Sequence, residues 1–165
     1  MMNLMLTDNV IGAENQQERL KTTGWVVGFI DGEGCFSVSL HKNPTTKLGW
    51  QIMPEFVATQ GEKSLASLKK LQSFFGCGRI FVNHRYDNHR ENLYRFCVRS
   101  FRELDERIIP FFRENELQTA KSRDFDIFAQ IIGLMKEKEH LTEKGIKKII
   151  ALATKMNTGK RKQQF

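Results

Sequence analysis

The sequence predicts an α+β fold built around an antiparallel sheet, and three observations carry that expectation. Four short segments, at 36–40, 50–59, 79–85 and 94–99, alternate apolar and polar residues with the period of two that marks half-buried strands. A helical stripe follows each pair, so the order strand–strand–helix occurs twice, from 36 to 75 and from 79 to 112. This is a repeat of architecture rather than of sequence. The 165 residues include 40% apolar residues and thirteen Phe, enough apolar surface for one core.

In chain order, residues 1–20 show no clear period and are expected to form an extended or poorly ordered arm. The run Trp25-Val26-Val27-Gly28-Phe29-Ile30 reads as a helix of two to three turns. Thr22 or Thr23 would cap its start, and the glycines of Asp31-Gly32-Glu33-Gly34 would stop it. Being apolar all round, it is expected to be buried on every side. Phe36, Val38 and Leu40 then alternate with Ser37, Ser39 and His41, and Asn43, Pro44 and Thr45 make a turn.

The second strand alternates more weakly, with Ile52, Phe56 and Ala58 inward and Gln51, Met53, Glu55 and Val57 outward. Pro54 cannot donate to a ladder, so it belongs at an edge or a bulge. Leu65, Leu68, Leu71 and Phe75 mark a helix that Gly76 ends. Ile80 and Val82 alternate with Arg79, Phe81, Asn83 and Arg85; Tyr94, Phe96 and Val98 alternate with Arg95, Cys97 and Arg99. Ser100 and Glu103 have the spacing of a capping box before Leu104, Ile108 and Phe111. Two further helices follow, one through Phe125, Phe128, Ile132 and Met135 and one through Ile146, Ile149 and Ala153, and then a basic tail over 161–165.

Several function classes are disfavoured by composition. The longest apolar run has six residues, far short of the ~20 that span a membrane. No basic residue precedes Arg19, which argues against a secretory signal and for an intracellular protein. Cys35, Cys77 and Cys97 are odd in number and far apart, the pattern of small hydrophobes rather than of a disulfide framework or a zinc site. Lys plus Arg exceeds Asp plus Glu by 26 to 19, a net +7, for which nucleic acid is the commonest counterpart, with a membrane surface or simple solubility as alternatives.

The strand faces turned from the core carry Ser37, Ser39, His41, Gln51, Glu55, Arg79, Asn83, Arg85, Arg95 and Arg99. A solvated sheet face would also be polar. The cations here are four Arg and no Lys, and Arg suits two-point contact with guanine and phosphate. A β-ribbon fits the major groove, which makes this face a candidate DNA surface. Arg79, Arg95 and Arg99 are the candidates for base edges, and Arg85, His41 and the tail lysines for phosphates. Glu55 is unfavourable there unless it accepts from a cytosine amino group or pairs with an Arg. At Asp31-Gly-Glu33-Gly, two carboxylates at a helix C-terminus oppose the dipole unless a cation joins them. The alternative is a plain tight turn between helix and strand.

Val26-Val27-Gly28-Phe29-Ile30-Asp31-Gly32-Glu33-Gly34 resembles the motif that names the LAGLIDADG homing endonucleases, with Val at the first two places and Glu33 for the second Asp. Downstream, Ala58-Thr59-Gln60, Ile108-Ile109-Pro110-Phe111-Phe112, Leu117-Gln118-Thr119-Ala120-Lys121 and Met156-Asn157-Thr158-Gly159-Lys160 are also similar to family members. The resemblance implies an αββαββα fold with a DNA-binding β-saddle and C-terminal helices, as one domain over residues 21–160. It implies an intron-encoded, site-specific nuclease that cuts both strands of double-stranded DNA using Mg²⁺ or Mn²⁺, in a bacterial cytoplasm or an organelle. Only one motif is present, which implies a homodimer closed through Trp25, Gly28 and Phe29. By the same resemblance Glu33 and the Gly32 carbonyl are metal ligands, Asp31 supports them, Gln60 orders the hydrolytic water, and Lys121 stabilises phosphate charge. An intron-RNA splicing helper, or a DNA-binding protein that does not cut, are the alternatives on the same fold.

Overall fold

The computed structural model describes the backbone of residues 4–84 and 92–156, and the side chains of these from residue 15 onward. Arg85 and the basic tail over 161–165 lie outside the described residues. The element order is α1 (Leu4–Glu33), β1 (Gly34–Lys42), β2 (Trp50–Gly61), α2 (Leu65–Phe75), β3 (Arg79–Asn83), β4 (Leu93–Val98), α3 (Phe101–Glu103), α4 (Ile109–Glu114), α5 (Lys121–Lys136) and α6 (Glu143–Ala153). The expected double strand–strand–helix order is therefore present. The four strands form one antiparallel sheet in the order β1-β2-β4-β3.

The first helix departs most from expectation. It is a 30-residue helix, not a short one capped at Thr22 or Thr23, and from Leu4 onward it replaces the extended arm expected over 1–20. Residues 14–19, Glu-Asn-Gln-Gln-Glu-Arg, contain good helix formers and no proline. Once a packed turn through Val26 and Ile30 is nucleated, adding polar residues to it needs no apolar stripe. Residues 15–21 are exposed, which is why no periodicity announced them. The acidic segment is likewise not a turn after the helix. Asp31, Gly32 and Glu33 are its last residues, and β1 begins directly at Gly34. A Cβ at Gly34 would sit 2.5 Å from Ile30 Cγ2 and 2.7 Å from the Ile30 carbonyl oxygen, so this crossing needs glycine.

Alternation then sorts the sheet into two faces. Phe36, Val38, Phe56, Ala58, Phe96 and Val98 are buried on the side covered by helices α2, α5 and α6. Phe36 is the hub of that layer. Its ring stacks on Phe56 at 4.9 Å and meets Phe125, Phe128 and Phe112 at 5.3, 5.4 and 5.5 Å. Pro54 is opposite Val38, but the β2–β4 ladder begins only at Phe56, so Pro54 lies where β2 pairs with β1 alone. Between α3 and α4 the chain makes a π-helical turn over Leu104–Ile108. Pro110 follows; it lacks an N–H and crowds the carbonyl four residues back, and a wider turn accommodates both without ending the helix. Ser100 accepts from the Glu103 N–H at 3.4 Å, as its spacing foretold. Gly76 ends α2 at φ 60°, where a side chain would be strained, and Arg107 donates to the Phe75 and Gly76 carbonyls.

Truncating the hub tests this packing. Phe36→Ala should cost about 3–5 kcal/mol and lower the melting temperature by roughly 10 °C. Leu141→Ala, at a residue 58% exposed, should change stability by less than about 0.5 kcal/mol. Calorimetry of the two variants reads the difference, and comparable losses would move the core elsewhere.

Candidate nucleic-acid interface and acidic helix end

The uncovered face of the sheet collects the polar residues. Ser37 pairs with Glu55, Ser39 with Met53 and His41 with Gln51 along β1 and β2; Arg79 and Phe81 pair with Cys97 and Arg95 across β3 and β4. Cys35, Val57 and Cys97 form one row across the middle. Val57 and Cys97 are buried there, so the centre of the face is an apolar floor under longer polar side chains. Burial, and then the hydrogen bond and charge of Glu55, push the Cys97 thiol up to about 11, so it stays protonated. All three cysteines are free, and Cys35 is exposed rather than a buried small hydrophobe.

The described members of the predicted face are brought together, with one arrangement that composition did not reveal. Glu55 accepts from Arg95 through one carboxylate oxygen, and through the other from Arg99 Nε at 2.5 Å and from the Cys97 thiol at 3.2 Å. The Glu55 carboxylate thus meets the condition under which it is tolerable beside DNA. Arg79, Asn83, His41, Gln51 and Ser39 are exposed, and Ser37 is half-buried. The guanidinium of Arg99 also lies 5.9 Å from the centre of the Phe81 ring.

The second centre is the end of α1. Asp31 accepts from the Gln118 N–H at 2.6 Å, the Thr119 N–H at 3.2 Å and the Thr119 hydroxyl at 2.8 Å. These groups sit immediately before α5, so Asp31 anchors the start of that helix. Burial pushes its carboxyl up, but those three donors and the Lys121 charge outweigh it and hold it below the ordinary carboxylate range. In return, the Lys121 ammonium donates to the Ile30 carbonyl at 3.0 Å and to the Gly32 carbonyl at 3.3 Å. These oxygens form the negative end of the α1 dipole, where a cation is favoured. Burial lowers the Lys121 pKa, opposed by Cys35, Asp31, Glu33 and Asp124.

Glu33 is exposed at this end. Gln60 is half-buried and faces Tyr94 across the ladder. Because Ala58 already pairs with Gly34, Gln60 runs past the start of β1, alongside the end of α1. Glu33, Gly32, Asp31 and Lys121 therefore lie together, with Gln60 on the adjoining strand. Among the described residues, no three His, Cys, Asp or Glu side chains are grouped so as to hold a metal ion on their own.

The expectation that α1 is buried on every side does not hold in the single chain. Val26 and Ile30 are fully buried, whereas Gly24, Gly28 and Gly32 share an exposed face and have open space where a Cβ would stand. Trp25 stacks on Phe29 at 5.1 Å beside it, with the Lys70 ammonium 4.2 Å from the centre of the Trp25 ring. No sequence pattern gives Thr119 or the Ile30 carbonyl a role at this site, and nothing in the spacing of Gln118-Thr119-Ala120-Lys121 tells which helix end that segment reaches.

The LAGLIDADG endonuclease family model matches residues 26–132. A protein of Neurospora crassa named probable intron-encoded endonuclease 2 is 36% identical over 137 residues, covering 82% of this chain and 29% of that protein. The chain thus spans less than a third of that curated relative. The crystal structure of a homing endonuclease, I-TnaI, superposes with a TM-score of 0.76 at 40% identity, over 84% of this chain and 89% of that one. The structure of I-SmaMI bound to an uncleaved DNA target in the presence of calcium ions superposes with a TM-score of 0.75 at 36% identity, over 83% of this chain and 45% of that one.

The Asp31 junction has a signature in pH. A carboxyl held below its ordinary value stabilises the fold above the usual range near 3.8 and loses that contribution as pH falls through its depressed value. Asp31→Asn should therefore cost about 1 kcal/mol at neutral pH, given its partial exposure. In denaturant titrations the gap from the unsubstituted protein should close in acid. A gap that persists undiminished there would place the effect outside this carboxylate.

Proposed function

The chain belongs to the LAGLIDADG endonuclease family, and from that premise we propose that two copies of it form a homodimer that hydrolyses both strands of a specific DNA site. The observation that carries this reading is the pairing of two features on one helix. The glycine face of α1 is open, and the same helix ends in Glu33. A second copy seated on that face would bring two acidic helix ends to a two-fold axis, and the exposed sheet faces would then form one continuous saddle. In this reading Trp25, Gly28 and Phe29 line the contact, and Gly28 admits close backbone approach. Two copies carry twice +7, or +14, which favours a polyanion and makes binding steeply salt-dependent. Residues 21–160 are then the endonuclease domain, with α1 extending it at the N-terminal side.

The donors at the helix end fit a hard divalent cation. The Glu33 carboxylate and the Gly32 carbonyl are oxygen ligands, and the backbone oxygens of this corner already receive one cation, the Lys121 ammonium. We read the ion as Mg²⁺ or Mn²⁺, which when bound supplies a Lewis acid beside the scissile phosphate. The chain's own residues do the rest. Asp31 fixes the helix end against α5, so that Glu33 is presented at a defined position. Gln60, with one donor and one acceptor group, orients the attacking water. Lys121 faces the developing negative charge on the phosphate as the P–O bond to the leaving strand breaks. Outward on the sheet, Arg79, Arg95 and Arg99 read bases while Ser37, Ser39, His41, Gln51 and Asn83 position the duplex. No described helix is long and apolar enough to cross a membrane, and the reading places the protein with its DNA, in a bacterial cytoplasm or an organelle matrix.

Selection of cleaved sites from a randomised duplex library with Mg²⁺ tests the proposal. Glu33→Gln should retain binding of the selected site and reduce cleavage by roughly a hundredfold to a thousandfold. Binding that is lost in parallel would make Glu33 structural. Binding without cleavage by the unsubstituted protein would leave a splicing helper or a non-cutting DNA-binding protein. Gly28→Leu meets no clash within one chain, so the monomer should keep its fold by circular dichroism while the dimer weakens at least about tenfold in sedimentation. An unaltered dimer would move the interface off this face.

A further inference from the structure

We propose that Glu55 is a positioning and specificity-determining residue that holds Arg99 ready to read one base pair and restrains the saddle from indiscriminate phosphate binding. The inference rests on the reading of this sheet face as the DNA surface. Three residues of alternate register, Arg95, Cys97 and Arg99, converge on this one carboxylate. Glu55 is the least exposed charged member, at 14%, against 41% for Arg95 and 55% for Arg99. The cluster thus has an inner anion and outer cations. The rotamer-rich members are the more exposed ones, and the member that fixes them is mostly shielded.

Arg99 is held from two directions. Glu55 takes its Nε, and the Phe81 ring lies near its guanidinium. The edge Glu55 occupies is not the Nη1–Nη2 edge, which is the one that matches guanine O6 and N7. A guanidinium fixed on one edge and backed by a ring loses less rotamer freedom when it meets a base, so the correct base pair is favoured more than a mobile Arg would favour it. Charge acts in the same direction. One carboxylate against two guanidiniums leaves a single net positive charge, so the cluster attracts any phosphate less than two unpaired Arg would. The carboxylate lowers affinity for all sequences while leaving recognition of one intact, and specificity is that difference. Exposed ion pairs add little to stability, which leaves orientation as the consequence of this arrangement.

The experiment uses the full chain, the site it selects, and a duplex of random sequence, in fluorescence anisotropy over a range of salt. Glu55→Gln should tighten binding to the random duplex, steepen its salt dependence, and reduce the ratio of specific to random affinity about tenfold. Base-by-base substitution of the site should show the loss concentrated at one base pair. Phe81→Leu, which removes the ring but keeps the carboxylate, should weaken preference at that same base pair. It carries the test if Glu55→Gln does not fold. An unchanged ratio in both variants overturns the inference and leaves the proposed function standing. A loss in Glu55→Gln confined to a G·C pair whose cytosine faces Glu55, with random binding unaltered, also overturns it, because Glu55 would then be the reader. A wild-type chain that binds no duplex overturns the inference together with the reading beneath it.

Discussion

The junction between the end of α1 and the start of α5 is the constraint on which the rest depends. Each helix end satisfies the other: Asp31 accepts from N–H groups that precede α5, and Lys121 donates to the terminal carbonyls of α1. Helix ends leave four donors or four acceptors without intrahelical partners. Here Lys121 meets the carbonyl deficit of α1, Asp31 holds the segment that leads into α5, 87 residues away, and each side chain carries the charge that the opposite dipole end prefers. The consequence for position is direct. Glu33 lies two residues beyond Asp31, and the chain then enters β1 through Gly34 with no intervening loop. An acidic side chain on a free loop would wander by several ångströms. One between a tethered helix end and the first strand of a sheet cannot.

The sheet turns that fixed point into a surface. Its inner face is covered by phenylalanine rings packed in edge-on and stacked pairs around Phe36, so the strands have little freedom to slide. Register is the quantity at stake, since a slip of one residue would send Arg95 and Arg99 into the core and Phe96 and Val98 to the surface. A stiff apolar face on one side is thus what makes a legible pattern of side chains possible on the other. The buried Val57–Cys97 row adds to this by giving the polar residues a floor that does not compete with them for hydrogen bonds.

Much of this was legible in the sequence, and the parts that were not share a cause. Strand faces follow from alternation, so Phe36, Val38, Phe56 and Phe96 went inward and Arg79, Arg95 and Arg99 outward, as the structure has them. Ser100 at its cap and Gly76 at the end of α2 are local chemistry, readable within four residues. What was hidden is long-range or lacks amphipathic contrast. Residues 15–21 continue α1 in solvent, and no stripe reveals a helix that packs against nothing. The Asp31–Thr119 and Lys121–Ile30 bonds join segments whose separation no spacing rule spans. Glu55 looked out of place on a basic face because its partners stand about 40 residues away in sequence.

The open face of α1 raises a question of solubility that the residue choice answers. A stripe of Leu or Ile on such an open face would be an apolar patch that invites aggregation. Here Gly24, Gly28 and Gly32 leave mostly backbone on that face, bonded within the helix at Gly24 and Gly28 and, at the Gly32 carbonyl, by Lys121. From Gly24 onward that stripe therefore exposes little side-chain apolar area, although Leu20 one turn earlier is exposed. The flanking Trp25 and Phe29 rings stack on each other, and Lys70 lies over the indole, so the aromatic surface is partly covered from within the chain. Glycine costs helix stability, about 1 kcal/mol relative to Ala at each interior position. That cost is offset on the opposite side of the helix, where Val26 and Ile30 are fully buried four residues apart. One stripe of the motif helix anchors it to its own sheet. The other carries only small residues at Gly24, Gly28 and Gly32, which leave open space beside the backbone.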